Sequence, residues 1–208
     1  MKLLVLGATG GIGLEVVRQA LDRNHRVTAF VRAPDRLKSI AARFGVIQGD
    51  PLSAAELARA IEDHDAILSG FGPRVPIAKS DSTLLHRFGV ALSEAMKRVG
   101  VRRAIIVSTA FLFRDSIVPP TNLVGRLFFP NMVADASEME SFFQTSNLEW
   151  TLVRPPRLTN RPRRGRYRVR EGHLPSFGFT ISRADVAAFM IKTAEKHSFI
   201  QQVVGISN

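Results

Sequence analysis

The 208-residue sequence has no cysteine, a single tyrosine and a single tryptophan. The absence of cysteine excludes disulfide bonds, thiolate metal sites and cysteine nucleophiles. Chemistry must therefore come from hydroxyl, imidazole or carboxylate groups, or from a bound cofactor. The sequence also lacks an apolar run of about 18 residues, the length that spans a bilayer, and its start is typical of a strand and turn instead of a signal peptide. We expect a cytoplasmic protein with no membrane partner.

Acidic residues are few relative to basic ones. There are 29 Lys and Arg against 18 Asp and Glu, a net charge of +11, and 23 of the 29 cations are arginine. This excess favours anionic partners, phosphate first, because the guanidinium fork binds phosphate oxygens in pairs. The 45% of hydrophobic and 23% of charged residues are typical of a globular protein. We expect one domain over residues 1–208 and find no internal repeat.

Short apolar runs alternate with segments of helical periodicity along the chain. Strands are predicted at 2–6, 26–31, 45–48, 66–69, 104–108, 150–154 and 202–206, and helices near 11–23, 34–44, 54–62, 82–99, 134–145 and 183–194. Connections this short imply right-handed crossovers within one parallel sheet. The predicted fold is α/β, a doubly wound parallel sheet of the Rossmann type. Two irregular segments rich in Pro, Phe and Arg, 111–132 and 155–180, are candidates for a substrate lid.

The run Gly7-Ala8-Thr9-Gly10-Gly11-Ile12-Gly13 lies between the first predicted strand and helix. In this context glycines allow a tight turn and let backbone amides approach a pyrophosphate, and the start of the helix favours its negative charge. The sequence therefore predicts a dinucleotide site on Gly7, Thr9, Gly10, Gly11, Ile12 and Gly13.

The end of the second strand indicates which nucleotide binds. An NAD site usually has an acid about 20 residues past the glycine motif, but Arg32 lies nineteen residues after Gly13, and Arg36 follows. Arginine pairs with a 2′-phosphate and cannot accept from ribose hydroxyls. We therefore expect NADP(H) as the cofactor. Asp35 is a nearby acid that could instead bind the ribose hydroxyls of NAD, which keeps NAD as the alternative. Its position directly after Pro34, however, is typical of the first turn of a helix.

Motifs along nearly the whole chain resemble the short-chain dehydrogenase/reductase superfamily, and within it the atypical, NmrA-like branch. They are Gly7 to Gly13, Val31-Arg32, Gly49-Asp50, Ser108-Thr109-Ala110-Phe111, Leu148-Glu149-Trp150-Thr151-Leu152-Val153-Arg154-Pro155-Pro156 and Ile181-Ser182-Arg183-Ala184-Asp185-Val186-Ala187. Within that branch the chain is most similar to NAD(P)H-binding proteins related to the biliverdin-IXβ/flavin reductase. That group includes reductases and also redox sensors without turnover.

The resemblance implies further cofactor contacts. It places Asp50 on the adenine amino group, the Gly70-Phe71-Gly72 backbone against pyrophosphate and ribose, Arg74 near the phosphates, and Ser108, Thr109 and Pro155 beside the nicotinamide. Two alternatives stay open. Asp50 could belong to a local turn, and Phe71 could serve lid packing.

The reaction implied is hydride transfer without a strong protein acid. The Tyr-x-x-x-Lys pair of most superfamily members is absent, since the only tyrosine, Tyr167, is followed four positions later by Glu171. Hydroxyls of Ser108 and Thr109 suit a flavin or quinone acceptor that takes its proton from water. Flavin-reductase relatives have a histidine where this chain has Arg157, which suggests an anionic acceptor. Alternatively, Arg154 and Arg157 pair with surface carboxylates.

Three further features complete the sequence-based interpretation. The arginine segment, residues 161–170, contains Arg161, Arg163, Arg164, Arg166, Arg168 and Arg170. We expect it to steer anionic ligands as a loop and edge strand, with nucleic-acid binding as the less favoured alternative. Asp135, Glu138 and Glu140 are expected on a solvated helix face. A non-catalytic NADP(H) sensor is the alternative to a reductase, because both share fold and nucleotide site.

Overall fold

A computed structural model describes residues 1–37, 41–73, 82–116 and 120–208 of the chain. The strands are β1 (Lys2–Leu6), β2 (Arg26–Val31), β3 (Gly45–Gln48), β4 (Ala66–Ser69), β5 (Arg103–Val107), β6 (Glu149–Arg154), β7 (Arg157–Thr159), β8 (Arg168–Glu171), β9 (Thr180–Ser182) and β10 (Gln202–Ser207). The main sheet has the order β3-β2-β1-β4-β5-β6-β10-β8, with β8 antiparallel to β10 and all other pairs parallel. Strand order reverses between β1 and β4, which confirms the predicted doubly wound fold and places ligands at that end.

Helices cover both faces of this sheet. They are α1 (Gly11–Asp22), α2 (Ala54–Ile61), α3 (Leu84–Val99), α4 (Thr121–Phe128), α5 (Pro130–Gln144) and α6 (Arg183–Glu195). Side chains alternate along β1, so Leu3 and Val5 pack with α1 and α6 while Leu4 and Leu6 pack with α2, α3 and α5. The apolar runs of β1 and β4 are thus strands buried on both faces, whereas the edge strand β3 is largely exposed. None of the helices within the described ranges has the length and apolar composition needed to cross a membrane.

Two local predictions are wrong. Within the predicted helix at 34–44, the residues that the structure describes form two short 3₁₀ turns, Pro34–Leu37 and Ala41–Arg43. Among its residues whose burial is described, only Leu37 is buried.

The segment 111–132, predicted as irregular, contains α4 and the start of α5. The buried residues of α4 are Thr121 and Gly125, while Leu123 and Leu127 are exposed. This inverted pattern conceals the helix from a periodicity argument, because apolar residues do not mark its inward face. The segment 155–180 likewise contains β7 and β8, and β8 is the edge strand expected from the arginine segment.

Candidate cofactor and acceptor site

The glycine turn closes tightly between β1 and α1. Gly7 has a φ of +75°, and its carbonyl accepts a 2.9 Å hydrogen bond from the Gly10 amide. A Cβ added to Gly13 would lie 2.2 Å from that same carbonyl oxygen, and one added to Gly7 would lie 2.7 Å from the Phe71 amide nitrogen. The turn, the start of α1 and the end of β4 therefore touch through their backbones.

The first turn of α1 has no side-chain cap. Gly10 at the N-cap position has no side chain to bond the helix amides, and the first turn contains no acidic residue. The free N–H groups and the positive end of the helix suit an anion. Thr9 is half-buried beside this end, and Ile12 is buried under it. These residues fit a dinucleotide diphosphate.

The end of β4 combines an open glycine with a packed aromatic ring. The Phe71 ring stacks on Phe88 of α3 at a centroid distance of 4.5 Å, and its amide donates to Ser69 Oγ at 3.3 Å. Gly72 is exposed, and a Cβ there would meet no atom within 4 Å. Among the described residues, the ring therefore stacks on the core helix α3 and not on either proposed lid segment, and the backbone beside it is accessible. Arg74 lies outside the described residues.

The ends of β2 and β3 present the predicted adenosine contacts. Arg32 and Arg36 are exposed, and within the described part of the chain neither guanidinium has a hydrogen-bond or ion-pair partner. Asp50 accepts a 3.0 Å hydrogen bond from the Leu52 amide, and its own amide donates to Glu56 at 2.9 Å. The local turn weighed for Asp50 is thus present. Its contact with adenine stays a prediction.

Main-chain hydrogen bonds bring the predicted nicotinamide residues together. The Ser108 amide donates to the Val153 carbonyl at 2.7 Å, and the Ala110 amide donates to the Pro155 carbonyl at 3.1 Å. The Thr109 hydroxyl oxygen accepts from the Phe111 amide at 3.3 Å. Ser108, Thr109 and Pro155 therefore form one layer at the carboxyl ends of β5 and β6.

The Ser108 hydroxyl is one of seven buried side-chain polar atoms among the described residues that lack a hydrogen-bond partner. Its oxygen is buried and has no hydrogen-bond partner among the described residues. Leaving a buried polar group unpaired costs about 1–3 kcal/mol. A carboxamide or an acceptor carbonyl bound at this layer would supply the missing partner.

Arg154 and Arg157 differ sharply in their surroundings. Arg154 donates to buried Glu140, with Nε 2.9 Å from Oε1, and its guanidinium lies 4.8 Å from the centre of the Phe113 ring. Its partner is thus a buried carboxylate and not a surface one. Arg157 opens β7, is exposed, and finds no carboxylate partner in the ranges that the structure describes. It stays available to a ligand.

Two of the three α5 carboxylates are buried, so the expectation of a solvated face is wrong for Asp135 and Glu140. Asp135 accepts from the Leu85 and His86 amides at 2.8 and 2.7 Å and so caps α3. The expectation failed because α5 packs against both α3 and β6, and each acid finds its donor on another element. No sequence pattern within α5 indicates that its acids bind the amides of α3 and the guanidinium of Arg154.

The two segments proposed as lids are tied to the site and to each other. Thr121 Oγ1 donates to the Ala110 carbonyl at 3.0 Å, and Asn122 Nδ2 donates to the Phe111 carbonyl at 2.7 Å. Asp115 pairs with His173, which joins the first segment to the second. The hydrogen bond with His173 lowers the pKa of Asp115.

Hydrogen bonds to Asp185 of α6 fix the backbone of the arginine segment. Asp185, fully buried in the first turn of α6, accepts from the Arg164 amide at 3.1 Å and the Gly165 amide at 2.8 Å. The segment's arginines are all exposed. Tyr167 packs edge-on against Phe189 of α6, and burial raises the pKa of its hydroxyl. It therefore packs against the helical layer.

A model of an NAD(P)H-binding family matches residues 7–197. The photosystem II assembly factor Ycf39 of Guillardia theta is 30% identical over 154 residues, 73% of this chain and 45% of that protein, so the match spans under half of that relative. The structure of ChuY, an anaerobillin reductase from Escherichia coli O157:H7, aligns over 100% of this chain and 97% of that one, with 23% identity and a TM-score of 0.82. A short-chain dehydrogenase/reductase from Veillonella parvula, solved in complex with NADP, aligns over 100% and 94%, with 19% identity and a TM-score of 0.81. The two structures share this fold.

Proposed function

Since the chain belongs to the NAD(P)H-binding family, we propose that it is an NADPH-dependent reductase that transfers hydride to a flavin, a quinone or a similar small acceptor. Family membership establishes NAD(P)H binding. The observation that carries the reductase proposal is the buried, unpartnered Ser108 hydroxyl at the carboxyl end of β5. A polar group left without a partner at a sheet edge where ligands bind is typical of a site completed by its ligand.

The preference for the phosphorylated nucleotide rests on two free guanidinium groups. Arg32 and Arg36 follow β2, where the adenosine ribose lies in doubly wound dinucleotide folds, and both are exposed. A 2′-phosphate would give each a charge-assisted hydrogen bond. The NADP found in the Veillonella parvula structure is consistent with this preference.

The residues of this layer orient the reactants. When bound, NADPH supplies the hydride. The Ser108 hydroxyl donates to the nicotinamide carboxamide or the acceptor. The Thr109 oxygen already accepts from the Phe111 amide, so its own hydrogen is free to donate toward the same layer. The reduced acceptor takes its proton from water, because no tyrosine and lysine pair stands here as a general acid.

The acceptor end of the site carries positive charge. Arg157 opens β7 two residues after Pro155, with an exposed and unpaired guanidinium within the described part of the chain. This supports an anionic acceptor such as a flavin phosphate. Its neighbour Arg154 is neutralised by Glu140 and contributes no net charge.

Steady-state oxidation of NADPH, followed by absorbance with FMN, riboflavin and several quinones, tests the proposal. We expect slow turnover with at least one acceptor. Thr109→Val should lower kcat more than it weakens NADPH binding. Arg157→Ala should raise KM for FMN more than for riboflavin, whereas Arg98→Ala, an exposed arginine at the end of α3, should change neither. Absence of turnover with every acceptor would contradict the reductase.

A second candidate function is an NADP(H)-dependent sensor that regulates or assists the assembly of another protein. Similarity to the assembly factor Ycf39 favours it, as does the exposed apolar side of α4 at Leu123, Leu127 and Phe128. Hydrogen exchange of α4 with and without NADPH tests this function in protein that shows no turnover. We expect nucleotide to slow exchange in α4, and unchanged exchange would contradict the sensor.

A further inference from the structure

Arg183, the first residue of α6, lies directly against the glycine turn. A Cβ added to Gly11 would come within 2.5 Å of Arg183 Cδ and 2.9 Å of its Nε. At such distances one group must shift, so a side chain at position 11 would displace the end of the Arg183 side chain from its observed place. Gly11 is the first residue of α1. The absence of a side chain at Gly11 thus allows the Arg183 side chain to lie beside the start of α1.

Among the residues that the structure describes, no carboxylate neutralises the charge of Arg183. Its guanidinium donates to the neutral amide oxygen of Asn160 at 2.6 Å, and no carboxylate in the described ranges lies within ion-pair distance. Asp185, the acid nearest in sequence, accepts instead from Ser182 Oγ at 2.7 Å and from two backbone amides of the arginine segment. Arg183 is half-buried.

This placement is electrostatically unfavourable without an anion. The N-terminal end of a helix carries partial positive charge and normally attracts acids. Arg183 lies against the first residue of α1, whose first turn contains no acidic residue, so its cation adds to the positive end of that helix. The first turn of α6 contains its own acid, Asp185. A bound diphosphate between the guanidinium and the amides of α1 would reverse the sign of this interaction.

We propose that Arg183 is a ligand of the cofactor diphosphate, held in place by Asn160 and admitted by Gly11. The diphosphate is then bound from two sides, by backbone amides of α1 and by the guanidinium of α6. This role holds whether the chain is a reductase or a sensor, because it concerns nucleotide binding alone. It also gives Gly11 a function distinct from the tight turn that Gly7 and Gly13 require.

Titration of NADPH and NADH against Arg183→Gln tests the proposal. The diphosphate is common to both nucleotides, so both affinities should fall by the same factor, about ten- to a hundredfold for one charge-assisted contact. Arg32→Gln should weaken NADPH alone. Arg18→Gln, an exposed arginine of α1 that pairs with Glu15, is the matched control and should change neither affinity.

A double-mutant cycle with Gly11→Ala separates the guanidinium from the amides. The methyl group displaces Arg183, so Gly11→Ala alone should weaken both nucleotides, and it should add little in the Arg183→Gln background. Arg183→Lys, which keeps a point charge, should retain part of the affinity. Melting temperatures of the free variants establish that each is folded.

Three results would overturn the proposal. One is unchanged affinity for both nucleotides in Arg183→Gln. Another is a loss confined to NADPH, which would place Arg183 on the 2′-phosphate. The third is full additivity of Gly11→Ala and Arg183→Gln, which would mean that position 11 acts through the amides alone. None of these readouts depends on turnover, so a failure here is distinct from a failure of the reductase proposal.

Discussion

Removal of the Ser108 hydroxyl should stabilise the free protein while impairing its function. The oxygen is buried without a partner in the described structure, at a cost of about 1–3 kcal/mol. Ser108→Ala should recover about 1 kcal/mol after the loss of packing, which raises Tm by about 2–4 °C in a domain of this size. The same change removes one hydrogen bond to the ligand, worth about 0.5–1.5 kcal/mol, so NADPH affinity or kcat should fall about two- to tenfold.

Thermal unfolding by circular dichroism, with and without NADPH, measures both effects on one sample. Ser146→Ala is the matched control, because that buried hydroxyl donates to the Phe143 carbonyl at 2.7 Å and accepts from the Leu148 amide at 3.3 Å. The control should lower Tm and leave NADPH affinity unchanged. If Ser108→Ala also lowers Tm in the free protein, its oxygen is satisfied there and the reasoning is refuted. Unchanged nucleotide affinity and turnover would remove Ser108 from the site.

Three further predictions concern charge. Arg32→Ala should weaken NADPH about ten- to a hundredfold in titration and leave NADH unchanged, and equal affinities of wild type for both would contradict the 2′-phosphate assignment. Replacing Arg163, Arg164 and Arg166 by Ser should raise KM for FMN over riboflavin, an effect that fades at high salt, whereas tight binding of oligonucleotides by wild type would favour the nucleic-acid alternative. The hydrogen bond with its histidine partner lowers the pKa of Asp115, so its stabilising contribution is present above the unfolded-state pKa and lost as pH falls through the lower folded-state pKa. Asp115→Asn should therefore flatten the acid limb of Tm against pH, and an unchanged limb would refute the linkage.

The central strands of the main sheet were predictable because each is dominated by apolar residues, whereas the edge strand β8 (Arg168–Glu171) has no such pattern. β3 and β4 have the predicted bounds, and the short connections indicated parallel pairing, which the structure shows for all pairs of the main sheet except β8 with β10. The glycine turn was equally predictable, since its glycine spacing and the predicted strand and helix on either side all indicate a dinucleotide-binding turn. In these regions local propensity and tertiary packing favour the same structure.

Features that depend on a distant partner were not predictable. Glu140 is buried because Arg154 reaches it from β6, and Arg183 meets Gly11 across a separation of 172 residues, the difference between positions 183 and 11. The helix α4 was not predicted because its buried residues, Thr121 and Gly125, give no apolar periodicity. The apolar residues can be read from the sequence, but which polar residues contact one another depends on the tertiary structure.

The two sides of α4 should tolerate substitutions to different degrees. Its inward residues Thr121 and Asn122 donate to the carbonyls of the turn that Thr109 caps, so changes there should disturb the backbone of that turn. Its outward residues Leu123 and Leu127 contribute little to the core, at exposures of 59% and 66%. Substitutions on the outer side can therefore accumulate at small cost in folding stability. The outer side of the helix can therefore vary while the contacts of its inner side with Ala110 and Phe111 stay unchanged.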